Sequence, residues 1–224
     1  MQAEGKRRRK GVHGGLSEGL LYVDEHRVVL DKPAGLLAVP GRGEDKQDCL
    51  SERARALWPD APVVHRLDMA TSGVFLMARG LHTQRMLGRA FAERGVDKRY
   101  LAVVAGRMGE PGAEGVIDLP LMADWPNRPR QKVDRDEGKP STTRWRVVGG
   151  DARSTRVELE PVTGRTHQLR VHLQAIGHPI LGDALYAPEA VQVLSPRLLL
   201  HATELRLAHP ATGEPVTFAS TAPF

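Results

Sequence analysis

The apolar residues of this chain come in short runs, such as Val74 to Ala78, cut apart by glycine, proline and charge. None approaches the roughly 20 residues a membrane helix needs, so the hydrophobic surface must be buried in strands and short helices packed on one another. With 41% hydrophobic and 26% charged residues the chain can build a core, and a largely disordered polymer is excluded. A length of 224 residues suits one domain better than two small ones.

Leu20 to Val23 and Val28 to Leu30 flank an Asp24-Glu25-His26 turn and read as two strands, the second broken by Lys32-Pro33-Ala34-Gly35. Ser51 to Leu57 suits a short helix that Trp58-Pro59 ends. A strand beginning at Val63 runs into the polar, small-residue segment Asp68 to Gly73, the kind of loop where chemistry sits. Val74 to Ala78 is a buried strand, and Leu81 to Arg94 an amphipathic helix with Leu87, Ala90 and Phe91 inward, a basic outer face, and Gly95 as its stop. Tyr100 to Ala105, Val157 to Leu159, Leu198 to Leu207 and Val216 to Phe218 read as further strands, while 106–115 and 124–140 read as excursions. Thr166 to Ile176 is a helix capped by Thr166, with Leu169, Leu173 and Ile176 facing the core and Gly177 ending it. Strands outnumber helices and no repeat occurs, which predicts an α+β sheet domain rather than a doubly wound one.

The single cysteine, Cys49, rules out an intrachain disulfide and a multi-cysteine metal site and fits a reducing, cytoplasmic setting. Residues 11–19 are too polar for a signal peptide. Of the net charge of +5, most is local: residues 1–10 hold five cations and one acid, leaving 27 cations against 26 acids elsewhere. Residues 1–15 read as a flexible basic arm and 16–224 as one domain. Two basic clusters remain, Arg79 to Arg99 and Arg128 to Arg146, which solvated surface charge and a nucleic-acid footprint explain equally well when taken alone.

His65-Arg66-Leu67-Asp68 invites a kinase reading, but the chain's only asparagine is Asn127 and the glycine-rich loop and Asp-Phe-Gly are missing. A plainer alternative makes Asp68 the cap of a turn before Thr71-Ser72-Gly73. A metal site at His167, His172 and His178 is not expected, because on a helix the first two point about 140° apart.

Taken in order, five segments resemble the RluA family of pseudouridine synthases across nearly the whole chain. They are Leu30 to Leu37, with Asp31 where asparagine is more usual; His65-Arg66-Leu67-Asp68 with Thr71-Ser72-Gly73; Lys98-Arg99-Tyr100-Leu101-Ala102; Gly164 to Leu173; and His178 to Asp183 with Leu199 to Ala202. The stretch Asp124 to Val133 is similar to the subgroup that modifies both large-subunit rRNA and tRNA.

The resemblance implies a bent, mostly antiparallel mixed sheet with flanking helices and a central cleft, without a separate RNA-binding domain. It implies Asp68 as the catalytic carboxylate, Arg170 as its salt-bridged cation, Tyr100 stacking on the target base, and Arg66 filling the space the flipped base leaves. His65, Arg165, His167, Arg128, Arg130 and Lys132 are the further expected RNA contacts. No cofactor or metal is implied, and the expected partner is RNA, in rRNA and tRNA stem-loops, for a monomer with no obligate protein partner. The rival expectation is an RNA-binding or ribosome-assembly protein whose catalysis is incidental or lost.

Overall fold

The computed structural model describes residues 19–224, so the arm expected at 1–15 lies outside the described residues. The strands are β1 (Leu20–Val23), β2 (Arg27–Lys32), β3 (Ser72–Ala78), β4 (Val96–Ala105), β5 (Glu114–Asp118), β6 (Leu121–Ala123), β7 (Gln131–Val133), β8 (Thr142–Gly150), β9 (Ser154–Pro161), β10 (Leu200–Ala208) and β11 (Pro215–Ala219). The helices are α1 (Leu50–Arg55), α2 (Gly80–Ala92), α3 (Gln168–Ala175) and α4 (Glu189–Gln192). One nine-stranded sheet runs β1-β2-β3-β10-β4-β9-β8-β5, with β11 beside β10, and β6 and β7 form a separate hairpin. Within the large sheet the pairing of β3 with β10 at Ser72 and Gly73 is parallel and the other ladders are antiparallel. The mixed, mostly antiparallel α+β class expected from the sequence is the one observed.

β3 reads as an unbroken apolar run because both of its faces are covered. Phe75 and Met77 enter a cluster with Val28, Leu30, Leu50 and Ala54, while Val74 and Leu76 enter another with Val29, Leu87 and Leu205. β9 instead alternates: Thr155, Val157, Leu159 and Pro161 point inward, and Arg156, Glu158 and Glu160 outward. A third cluster packs Ala102, Val104, Val157 and Leu159 of the sheet against Leu169 and Leu173 of α3. Leu173 is fully buried there, and its truncation to alanine should cost about 2–5 kcal/mol.

Several local expectations are corrected. α3 starts at Gln168, and His167, not Thr166, holds the N-cap position with φ 55°, in the left-handed region that histidine tolerates better than most residues. Ile176 lies beyond the last helical turn and is 37% exposed, so the apolar stripe ends at Leu173. Gly177 does end the helix: with φ 86° its N–H donates to Gln174 O and the next N–H, of His178, to Leu173 O, closing a Schellman turn. After α2 the left-handed residue is Arg94 (φ 63°), one position before Gly95. Val63 makes one bridge to Met77 rather than a strand.

The excursions hold structure too, since β5 begins at Glu114 and β7 lies inside 124–140. β8 went unread because its outward Arg144 and Arg146 mask the alternation of Thr143, Trp145 and Val147 toward the core. Those two arginines pair with Glu160 and Glu158 across the β8–β9 ladder, so part of the second basic cluster is neutralised within the sheet.

Candidate active site

β10 covers the edge of β3 only at Ser72 and Gly73, so the rest of that edge must be satisfied by something else. The segment 62–65 does this. The Leu76 N–H donates to His65 Nε2 at 2.9 Å, and the imidazole stacks on Phe91 with ring centroids 4.8 Å apart. Burial pushes the His65 pKa down to about 3, with the Lys98 charge adding to the effect, so the ring stays neutral and keeps its acceptor lone pair.

On the far side of the loop, Lys32 is fully buried and its ammonium donates to Pro33 O, Leu36 O and Met69 O at 2.9, 2.6 and 2.9 Å. Desolvation lowers its pKa to about 8, opposed by the attraction of Asp68. Gly35 N–H also donates to Met69 O, so the Lys32-Pro33-Ala34-Gly35 loop is stitched to the residue after Asp68. The turn at 68–71 is closed by Thr71 N–H donating to the Asp68 backbone carbonyl, which leaves the carboxylate free of the capping task.

Gly73 has φ 112°, and a Cβ there would lie 2.2 Å from Ala202 O, so only glycine permits this approach to β10. The same junction carries an oriented polar chain. Arg197 Nη2 donates to Ser72 Oγ at 2.5 Å, and Ser220 Oγ donates to Asp31 Oδ2 at 2.8 Å. Between them His201 bonds Ser72 Oγ through Nδ1 at 2.8 Å and Ser220 Oγ through Nε2 at 3.0 Å. Because Ser220 spends its proton on Asp31, His201 Nε2 must donate to Ser220, and Nδ1 accepts from Ser72.

The Asp68 carboxylate stands at a cleft of about 510 Å³, a volume within the range of small-ligand sites. Its side chain is 21% exposed and makes no hydrogen bond among the described residues. Arg170 Nη1 lies 3.7 Å from Oδ2 and His167 Nε2 3.8 Å from Oδ1.

α3 positions both. Gln168 holds the turn ahead of it, its Oε1 accepting from Thr163 Oγ1 and Arg165 N–H, and its Nε2 donating to Thr142 O and Thr143 Oγ1. The guanidinium of Arg170 is gripped from behind by Asp183, with Nε to Oδ2 2.8 Å and Nη2 to Oδ1 2.6 Å. Burial works against the charged guanidinium, and the bonds and charge of Asp183 outweigh it, holding the Arg170 pKa above its ordinary value. Asp183 in turn accepts the N–H groups of Leu185 and Tyr186.

Tyr100, on β4 between Leu159 of β9 and Ala202 of β10, lines the cleft. Burial raises its phenol pKa, and the Asp68 charge adds to the rise, so the ring is neutral. Arg66 and Arg165 are exposed on the cleft wall and form no ion pair among the described residues, and Arg94 and Lys98 complete a basic rim around Asp68. His65, Arg66, Asp68, Tyr100, Arg165, His167 and Arg170 are therefore brought together.

Arg128, Arg130 and Lys132 are not among the residues lining the cleft and lie on or beside the β6–β7 hairpin. Arg128 stacks over exposed Trp125 at 4.3 Å, Arg130 donates to Leu185 O, and Lys132 pairs with Asp134. The other two histidines of the metal question are engaged separately. His172 is buried between Thr143 Oγ1 and Leu119 O, and His178 bonds Ala105 O.

Sequence reasoning missed Lys32, Asp183 and Tyr186 as site residues. A buried arginine facing a cleft requires a second carboxylate behind it, a signal that calls for a search but does not single out Asp183.

The family model for RNA pseudouridylate synthase matches residues 26–175. The chain is 51% identical over 206 residues to the dual-specificity RNA pseudouridine synthase RluA of Escherichia coli (strain K12), covering 92% of this chain and 93% of that one. It is 53% identical over 207 residues to the protein of the same description in Salmonella typhi, with the same coverage of 92% and 93%. Its fold is similar to the solved structure of human RNA pseudouridylate synthase domain containing 1, with a TM-score of 0.78, 30% identity and coverage of 97% of this chain and 87% of that chain.

Proposed function

This chain belongs to the RluA family of pseudouridine synthases, and from that premise we propose that Asp68 is the carboxylate with which it isomerises uridines in two RNA classes, large-subunit rRNA and the anticodon stem-loop of tRNA. The reaction detaches the base from its ribose and rejoins it through carbon, which calls for a carboxylate acting on sugar or base and for no redox group. The observation that carries the reading is a carboxylate at the cleft whose two oxygens each face a different nitrogen donor, Arg170 and His167, yet are bonded to neither. Both oxygens remain open to a substrate.

A uridine must leave its stack to enter such a cleft. Tyr100 offers a neutral ring beside the carboxylate for the extruded base, and Arg66 an exposed guanidinium for the space it vacates. Arg165, His167 and His65 line the same cleft, and Arg128, Arg130 and Lys132 extend the basic surface along the hairpin. The protein works as a monomer on RNA in the cytoplasm, with the whole site in one domain; no described helix is long and apolar enough to cross a membrane.

The test is incubation with RNA tritiated at uridine C5, since isomerisation releases that hydrogen and binding alone does not. Pseudouridine mapping in rRNA and tRNA from a deletion strain tests the two substrate classes, and loss from only one of them would refute dual specificity.

A further inference from the structure

The β6–β7 hairpin stands outside the main sheet, yet it is wired to the active site through one side chain. Gln131 N–H, on β7, donates to the hydroxyl oxygen of Tyr186 at 2.8 Å. The same hydroxyl lies 2.6 Å from His167 Nδ1, and the opposite nitrogen of that ring faces Asp68 Oδ1 at 3.8 Å. Arg130, also of the hairpin, donates to Leu185 O, and the Tyr186 ring lies under the Arg170 guanidinium at 5.0 Å.

The proton positions follow from the donor inventory. The Tyr186 phenol keeps its proton, because desolvation pushes its pKa up to about 12. Its oxygen already accepts from Gln131, and among the described residues the one acceptor within bonding distance for its proton is His167 Nδ1. Burial holds the His167 pKa below the ordinary value, with Asp68 opposing, so the ring has a single proton and it must sit on Nε2.

We propose that Tyr186 is a positioning residue for the reaction: its hydroxyl, oriented by the hairpin, fixes the His167 tautomer that presents an N–H to Asp68. His167 and Arg170 then hold one carboxylate oxygen each, through donors that close to hydrogen-bond length once RNA fills the cleft. The hairpin is by this account a part of the active site and not only an RNA-facing surface. The proposal rests on the reading of Asp68 as the reacting carboxylate.

The test uses the full chain labelled with ¹⁵N in histidine and the substitution Tyr186→Phe, which keeps the ring under Arg170 and removes only the hydroxyl. Two-bond nitrogen–proton NMR correlations report the tautomer of each ring, with the His167 signals identified by their loss in His167→Asn. Expected is the Nε2–H tautomer in the native protein and a mixture in Tyr186→Phe, with unchanged signals from buried His172 and His201 reporting an intact fold. The single-turnover rate at saturating enzyme should fall roughly three- to tenfold, the worth of one ordinary hydrogen bond, while RNA affinity holds. An Nδ1–H tautomer in the native protein, or a Tyr186→Phe variant with native tautomer and rate, would overturn the proposal. The tautomer measurement needs no turnover, so residual activity in Asp68→Asn would remove the underlying reading while leaving that measurement standing, and the two failures are told apart.

Discussion

Arg170 is bound by both prongs of its guanidinium to Asp183, at 2.8 and 2.6 Å, and only its third nitrogen, at 3.7 Å, is turned to Asp68. The side chains of this pair are 5% and 0% exposed. Removing one charge of such a pair strands the other in a dry interior, so Asp183→Ala should cost about 3–5 kcal/mol in urea denaturation. Asp183→Asn, which keeps one acceptor oxygen and the shape, should cost less and still slow turnover, because the guanidinium loses the grip that aims Nη1. A variant as stable and as fast as the native protein would show that Arg170 is held by other means.

Asp68→Asn keeps the size of the side chain and removes its charge. Tritium release should vanish, while RNA affinity stays within about tenfold, or ~1.4 kcal/mol, because the basic rim is untouched. Circular dichroism should be unchanged, since the turn at 68–71 is closed by the backbone carbonyl and not by the carboxylate.

His65 predicts an acid sensitivity. Its pKa is about 3 in the folded protein against an ordinary 6.5, so between these values the unfolded chain binds a proton that the folded one refuses. Stability from this residue is therefore complete above pH 6.5 and declines as the pH falls toward 3, by about 2 kcal/mol at pH 5. The cause is local: a protonated Nε2 would point a donor at the Leu76 N–H. Comparing denaturation midpoints of the native protein and His65→Gln from pH 7 to pH 4.5 checks this. The variant should show the flatter profile, and parallel profiles would mean that other groups govern the acid limb.

Arg66 is exposed on the cleft wall two residues before Asp68 and has no partner among the described residues. Arg66→Ala should slow modification of a structured stem-loop more than that of a short RNA whose uridine is already unstacked, because flipping costs a few kcal/mol only in the first. Arg66→Lys should rescue poorly, having charge but no plane. Equal slowing on both RNAs would assign Arg66 to the chemical step or to the loop.

What the sequence makes legible follows the physics of each signal. Val74 to Ala78 announced a strand covered on both faces because nothing else tolerates five apolar residues in a row on a sheet. Arg170 comes from the resemblance of Gly164 to Leu173, and its place next to Leu169 sets it at the border of the apolar stripe. Asp183 was not visible, because periodicity says which face an arginine occupies and nothing about which later turn brings a carboxylate to it. β8 stayed hidden because cross-strand ion pairs place charges where a half-buried strand is expected to be plainly polar. His65 is among the expected RNA contacts, but its bond to the edge of β3 hid for a related reason: an imidazole supplying one rung of a β-ladder has no period to detect.

The place of β10 between β3 and β4 bears on when the cleft can be assembled as the chain is made. β3 follows the loop of Asp68 and β4 carries Tyr100, yet the strand that joins them begins at Leu200, a hundred residues beyond Tyr100. At synthesis rates of about 5–20 residues per second, the two halves of the cleft wait roughly 5–20 s on the ribosome before the piece between them exists. Until then Gly73 has no Ala202 to approach and Ser72 no His201 to bond, so the junction between β3 and β10 beside the Asp68 loop cannot form on the nascent chain.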